Sequence, residues 1–447
     1  MKLFNDFRLR FGKPDWSRNP EFSLIDTLLE KHPELYNILK EDIIKGTKGS
    51  EFGRNDTPTV EQIVRAAIFK EMKGLDYREL EYAQSDSRIC STFIKLDERK
   101  PYGYTTFHKY ISKIQPDNLH KLLVALNKIA IAEGLEDIKK IRIDSTVVKT
   151  NIHYPTNNSL IWDCIKESHR LLSKLNEECK DLNYRDYTKS AKKIYYKINN
   201  TKSKDKRVEL FKKQLITFTK SINQVSNSIK KKTNTIDAIL IQTALEKLLP
   251  LMCQVYKMSK KKEILEESVP NDEKLFSIYE LHTDIIVKGG REVLFGHKIN
   301  FSGGKSNLVL DCDILRGNPS DTKLYQPAID RMILNYEKTP RDVATDGGFA
   351  SKINMEFSKN KGIKNIVFNK IVGSLQNTFS SKNIETRLKK WRSGIEANIS
   401  NFKRGFDMFI CNWKGWKHFK AKVLWSVIAY NIRVMTALFL VKIKESY

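Results

Sequence analysis

Three acidic residues in this sequence stand where a metal-binding centre could be assembled. Asp144 follows Ile138, Ile141 and Ile143, which are separated by Lys and Arg as in a strand that ends at the acid. Asp346 closes the run Arg341 to Thr345 and precedes Gly347-Gly348, a pair that lets the chain turn sharply. Glu396 falls inside a helical stretch near the C-terminus. Carboxylates from two strand ends and one packed helix can converge on one point. Hard divalent cations take such oxygen ligands, and Mg²⁺ keeps waters and accepts phosphate oxygens from a substrate. Two ions about 3.5–4 Å apart can activate an attacking oxygen and stabilise the leaving one.

The surroundings of Glu396 add information. Arg392, Glu396 and Lys403 stand at i, i+4 and i+11, which places them on one helical face at ~100° per residue. A carboxylate on that face can reach a metal while the guanidinium and ammonium groups reach phosphates. Arg142 and Lys149, which flank Asp144, are further phosphate-contact candidates. Each acid alone also has a plainer reading. Arg392 and Glu396 could be a solvated i,i+4 ion pair, Asp144 a strand-end acid, and Asp346 a turn residue.

The elements that must position these residues fall into blocks. Residues 1–135 read as helical. Thr59 and Gln62 form a capping-box pattern before Val60, Ile63, Val64, Ala67 and Ile68, and Gly74 ends that helix. Asp76 and Glu79 repeat the pattern through Tyr82, and a short segment runs from Ser87 to Ile94. Thr105 or Thr106 is expected to cap a helix over Phe107–Ile114 that carries Lys109 and Lys113, and Asp117 opens another. Short helices in tight succession, one of them basic, suggest a helix-turn-helix DNA-binding domain. The period changes at Ile138, returns to helical over 159–281, and gives strands again at Asp284–Val287, Val293–Phe301 and Asn307–Leu315, with a turn at Gly289-Gly290. A helix capped by Ser320 or Asp321, the strands Arg341–Thr345 and Ile363–Phe368, and long helices over Ile384–Phe402 and Trp416–Ile443 complete the chain. This plan predicts an α/β fold with a mixed sheet flanked by helices, an N-terminal all-helical domain and a helical insertion. The boundaries are 1–135 for the helical domain, 136–158 and 282–447 for the two parts of the core, and 159–281 for the insertion.

Composition narrows the partner. The 447 residues include 79 Lys and Arg against 53 Asp and Glu, a net charge of +26. Such an excess points to a polyanion, nucleic acid or an anionic membrane surface, although a Lys- and Asn-rich composition also contributes to it. No stretch reaches ~18 consecutive apolar residues, and Ser426, Asn431 and Arg433 interrupt the longest apolar region. No signal region is read at the N-terminus. The six cysteines show no metal or disulfide spacing, consistent with free thiols in a reducing, cytoplasmic compartment. Ser302-Gly303-Gly304-Lys305-Ser306 ends like a phosphate loop, but Ile299 stands where the full pattern needs Gly, so an ATP site is rejected. His153, His297 and the tryptophans Trp391, Trp413, Trp416 and Trp425 read first as loop or packing residues, and Asp321 as a helix cap.

The acidic segments together resemble a known family. D-S-T-V-V-K-T-N-I-H-Y-P-T-N-N-S from Asp144 is similar to the first acidic motif of DDE transposases of bacterial insertion sequences. G-H-K-I-N-F at 296–301 and G-N-P-S-D at 317–321 belong to the same resemblance. A-T-D-G-G-F-A-S at 344–351 resembles the second motif, and W-R-S-G-I-E-A-N-I-S-N-F-K at 391–403 the third. Arg392, Glu396 and Lys403 match the Y-x2-R-x3-E-x6-K signature of IS4- and IS5-like elements, with Lys389 where that signature has Tyr. The N-terminal region resembles the helical domain of IS5- and IS1182-like transposases. The resemblance implies an RNase H-like core with Asp144, Asp346 and Glu396 as catalytic and metal ligands for two Mg²⁺ or Mn²⁺ ions. It implies DNA contacts from Arg392, Lys403, Lys389, Lys149, Arg142, Lys109 and Lys113. It further implies double-stranded DNA as partner (element ends and target), a homodimer on that DNA, no membrane, and a nucleoid-associated location.

Overall fold

The structure, a computed structural model, describes residues 19–46, 57–96, 100–179, 182–288, 292–371 and 373–445. The expected Gly289-Gly290 turn lies outside these residues, as do parts of the 1–135 helical block. Two compact units emerge: residues 1–151 with 286–447, and residues 152–285.

Among its described residues the first unit opens with seven helices: α1 (Pro20–Lys31), α2 (Glu34–Ile44), α3 (Val60–Lys73), α4 (Tyr77–Asp86), α5 (Arg88–Phe93), α6 (Tyr104–Ile111) and α7 (Pro116–Ala132). The α3 capping box is complete. Gln62 N donates to Thr59 Oγ1 at 3.1 Å, and Thr59 N to Gln62 Oε1 at 3.0 Å. Gly74 stops the helix in the left-handed conformation at φ 67°. Asp76 and Glu79 form the second box, and Ser87 caps α5. α6 begins at Tyr104, three residues before its expected start, and neither Thr105 nor Thr106 caps it. Glu81 accepts from Tyr104 N at 2.7 Å, so a neighbouring helix satisfies the exposed N–H that a local cap would have served.

The strand β1 (Lys140–Thr150) follows, and Asp144 lies within it rather than at its end. After the second unit come β2 (Asp284–Lys288), β3 (Glu292–Gly303), β4 (Val309–Ile314), α12 (Asp321–Tyr336), β5 (Asp342–Asp346), α13 (Lys352–Asn360), β6 (Asn365–Asn369), α14 (Lys382–Arg392), α15 (Gly394–Gly405), β7 (Ile410–Cys411) and α16 (Trp416–Glu445). The result is an α/β unit with a seven-stranded mixed sheet in the order β2-β3-β1-β5-β6; β4 also pairs with β3, and β7 with β1. β1 runs antiparallel to β3 and parallel to β5, and β5 runs parallel to β6. The β1–β5 pairing ends at Ile143↔Thr345, while β1 continues against β3 as far as Lys149. Asp144 therefore sits where the parallel partner stops. Residue alternation could not place that point, because the antiparallel partner keeps β1 extended beyond it.

α16 is long and apolar enough to cross a membrane by length and composition. In this structure it is a core helix: Phe419, Trp425, Ile428, Ile432 and Met435 are buried with Ile63, Leu123 and Leu126. Each such side chain contributes about 1.5–3 kcal/mol by leaving water. A second core under α12, with Tyr325, Ile329 and Met332 against Ile141, Ile143 and Val343, fixes β1 and β5 from the other side.

The second unit holds α8 (Asn157–Glu178), α9 (Thr188–Asn200), α10 (Lys204–Ile229) and α11 (Ile236–Glu263). Its own core is built from Ile161, Leu172 and Leu175 of α8, Phe218 and Val225 of α10, and Leu245, Met252 and Val255 of α11. Lys192, Lys193, Lys230, Lys232, Lys260 and Lys262 are exposed.

Candidate active site

The sheet register brings the first two acids together. Ile143 pairs with Thr345, so Asp144 and Asp346 are the next residues on adjacent parallel strands. Neighbouring strands lie about 4.8 Å apart, and side chains at matched register share a face. Gly347 makes the turn after Asp346 possible. A Cβ there would stand 2.5 Å from the Lys370 carbonyl oxygen and 2.6 Å from that of Asn369.

The third acid comes from a helix that is broken. The sequence predicts one helix over 384–402, whereas the chain forms α14 and α15 with Ser393 between them. Arg142 explains the break. Its Nη1 donates to the Trp391 carbonyl at 2.9 Å, an acceptor that an unbroken helix would use internally. A Cβ on Gly394 would lie 2.1 Å from that same nitrogen, so a larger residue there would have to displace the Arg142 guanidinium from the break. The break leaves Arg392 as the last residue of α14 and Glu396 in the first turn of α15.

Arg392 is the centre of the cluster. Its Nη2 donates to Glu396 Oε1 at 2.5 Å, and its Nη1 lies 3.6 Å from Asp144 Oδ2 and 3.9 Å from Asp346 Oδ1. Its Nε is buried and has no hydrogen-bond partner among the described residues. The guanidinium is 8% exposed, Asp144 20%, Asp346 47% and Glu396 60%. Three carboxylates thus face one cation in a site open to solvent on the Asp346 and Glu396 side. As placed, no group of three or more His, Cys, Asp or Glu side chains among the described residues is set to hold a metal ion. Burial pushes the Asp144 carboxyl up to about 6; the Ser145 N–H at 2.8 Å and Arg392 oppose this, while Asp346 and Glu396 add to it. Such a carboxylate lacks positive charge and would gain from more of it nearby.

A fourth carboxylate stands beside these. Asp321, expected to cap α12, makes no cap. It accepts instead from Ser145 Oγ at 3.0 Å and pairs with Lys298 at 2.6 Å. Its Oδ2 is 3.1 Å from where a Gly348 Cβ would stand. Asp321 therefore links the residue after Asp144 to the turn after Asp346. The sequence put the cap reading of Asp321 ahead of an auxiliary catalytic role, because a polar residue at a helix start looks like a cap whatever it touches.

Other candidates lie elsewhere. Arg142 is buried; besides Trp391 it donates to the Ser306 carbonyl at 3.4 Å and to Asn307 Oδ1 at 3.0 Å, and it lies over the Trp391 ring. Lys389 pairs with Glu385 on its own helix at 2.8 Å. Lys403 lies over the Phe409 ring, and Lys149 is half-buried on β1. Lys109 and Lys113 flank the Tyr110 ring among the N-terminal helices, and Lys113 donates to the Lys45 carbonyl at 2.9 Å. Arg392 is the one cation of this set brought onto all three acids. His297 is buried between Trp416 and Phe419, and Trp425 is in the core. His153, in the second unit, lies 2.6 Å from Asp163. The 302–306 loop does cradle an anion, but an internal one: Lys305 N and Ser306 N donate to the Glu136 carboxylate at 2.7 and 3.1 Å.

Residues 297–432 match the family model for a transposase DDE domain. The match supports a DDE transposase. It spans Asp346, Glu396 and Arg392 and leaves out Asp144, the N-terminal helices and the second unit. No curated protein and no solved structure matches the chain.

Proposed function

We propose that the chain is a transposase that binds the terminal inverted repeats of its own insertion sequence, cleaves DNA at the element ends and joins the freed 3′-OH to target DNA. The observation that carries this reading is the convergence of Asp144, Asp346 and Glu396 on one cation within a chain that matches a transposase DDE domain. The sheet supports an RNase H-like core, since antiparallel β4, β3 and β1 adjoin parallel β5 and β6.

The donor set fits Mg²⁺ or Mn²⁺, being three hard oxygen ligands of which one, Asp144, is short of positive charge. Asp144, Asp346 and Glu396 would hold two ions, which supply charge neutralisation and an activated oxygen when bound. Loading requires Arg392 to swing outward, and a DNA phosphate is the anion that its fork fits bidentately. Lys403 and Lys149 are the next phosphate contacts in this reading, Lys389, Lys109 and Lys113 the outer ones, and Arg142 shapes the site from beneath. In the first step a water oxygen bonds to phosphorus, the P–O3′ bond breaks, and the 3′ oxygen leaves with a proton. In the second step that 3′-OH bonds to a target phosphorus and displaces a target 3′ oxygen, so phosphodiester count is conserved. Bringing two ends together calls for a homodimer on DNA.

A non-cleaving DNA-binding protein is the second reading, favoured by the guanidinium standing among the acids. One experiment separates them. Protein is incubated with duplexes carrying the element ends and Mg²⁺ or Mn²⁺. The transposase reading expects nicked and joined products from the wild type and none from Asp346→Ala. Identical, product-free behaviour of both proteins, with DNA still bound, would leave only the binder.

A further inference from the structure

A cleft of about 610 Å³ lies at the start of the parallel strands β1, β5 and β6, beneath α14. Lys140 opens β1, Arg341 and Asp342 stand at the start of β5, Lys364 and Asn365 at the start of β6, and Ile384, Arg387, Leu388, Lys390 and Trp391 come from α14. Asp342 is the one carboxylate in the described lining, and it is already held by Arg341 at 2.8 and 3.1 Å and by the Asn365 amide at 2.6 Å. That removes Arg341 from the balance. Lys140, Lys364, Arg387 and Lys390 remain, four cations on three elements; the Lys140 charge also acts on Asp342, and none of the four forms a close ion pair among the described residues of the cleft. The floor beneath them is a small apolar cluster in which Ile384, Leu388 and Trp391 pack on Ala344 and Val367.

This site is distinct from the carboxylate centre. Asp144 lies four residues along β1 from Lys140, on the order of 13 Å at ~3.3 Å per residue. α14 joins the two places, since Trp391 faces the cleft and Arg392 holds the acids. The separation equals about four steps of a duplex at ~3.4 Å each. Cations arrayed on the rim, with the buried polar pair Asp342 and Asn365 already bonded to each other, suit a repeating negative charge better than one small molecule of fixed shape.

We propose that this cleft holds a run of DNA phosphodiester backbone about four steps from the bond that is cut. The proposal rests on the transposase reading for the identity of the polyanion.

The test measures the affinity of full-length protein for element-end duplex across a KCl series. The variant Lys364→Glu with Arg387→Glu is compared with the wild type and with Lys338→Glu plus Lys359→Glu, an equal charge change at exposed positions outside the cleft. Each lost phosphate contact lowers the slope of log K against log salt by ~0.9. The cleft variant should lose about two units of slope and bind at least tenfold more weakly, while the control pair keeps the wild-type slope. Lys364→Gln with Arg387→Gln should fall between, which guards against a folding defect. Equal slopes for the cleft and control variants would overturn the proposal and leave the DNA reading standing. A cleft variant that loses affinity for inorganic phosphate but not for DNA would overturn it as well. Wild-type protein that binds DNA without salt dependence would instead bring down the transposase reading itself.

Discussion

Two clusters in the first unit set acids around an arginine, and they behave in opposite ways. On β4, Asp311 is fully buried and accepts from Arg331 Nε at 3.0 Å, Arg331 Nη2 lies 2.9 Å away as an ion-pair contact, and His120 Nε2 stands 3.0 Å from the other oxygen. Arg331 also pairs with Asp313 at 3.0 Å. Burial raises the Asp311 carboxyl, but His120 and Arg331 outweigh it and hold the group below its usual range. At the candidate site one guanidinium serves three acids, two of them at 3.6 and 3.9 Å, and Asp144 is pushed up to about 6. The first cluster ties α7, β4 and α12 together by direct contacts of 3.0 Å or less. The second is under-neutralised and open, which is how a site that recruits cations and phosphates should look.

That contrast can be broken by substitution. The largest effect should be on catalysis: Asp346→Ala is expected to slow metal-dependent nicking by at least ~10³-fold, about 4 kcal/mol of barrier, without lowering the melting temperature. Asp311→Asn should do the reverse. It leaves Arg331 and His120 facing a neutral group and is expected to cost about 3 kcal/mol of stability, read by denaturant unfolding, with activity per folded molecule retained. pH sharpens the difference. Asp311 has a depressed folded value, so its stabilisation is present above the ordinary Asp value of 3.8 and is lost as pH falls below it. Asp144 has a raised value, so its contribution is present at low pH and is lost as pH rises through about 6. Asp144→Asn should therefore leave unfolding midpoints at pH ~7.5 unchanged or raise them, while Asp311→Asn lowers them at that pH and flattens the acid limb. The smallest effect belongs to Lys389→Ala, whose i,i+4 pair with Glu385 is 40% exposed on the lysine side and carries no more than about 0.5 kcal/mol.

Local signals in the sequence predicted the elements that form from local physics. Both capping boxes, the Gly74 stop and the strand-helix alternation after residue 282 rest on neighbours in the chain, and the structure forms them. The departures have non-local causes. α6 starts early because Glu81 caps it from another helix. The 384–402 helix breaks because Arg142 takes the Trp391 carbonyl, a partner 249 residues away in the chain. The same holds at the site. The carboxylates were legible as types and spacings, but Arg142 as an internal support and Asp321 as a fourth acid depend on which strands pair. No local pattern distinguishes Asp311 from Asp144, since both are strand acids; partner distances and exposure do.

The central claim is that Asp144, Asp346 and Glu396 bind divalent metal at one place. Substituting Fe²⁺ and generating hydroxyl radicals in place with ascorbate and peroxide cuts the polypeptide beside the bound ion. The account predicts fragments ending near residues 144, 346 and 396, suppressed by excess Mg²⁺ and lost in Asp346→Ala. Cuts at other positions that Mg²⁺ suppresses, with none near these three, would contradict it.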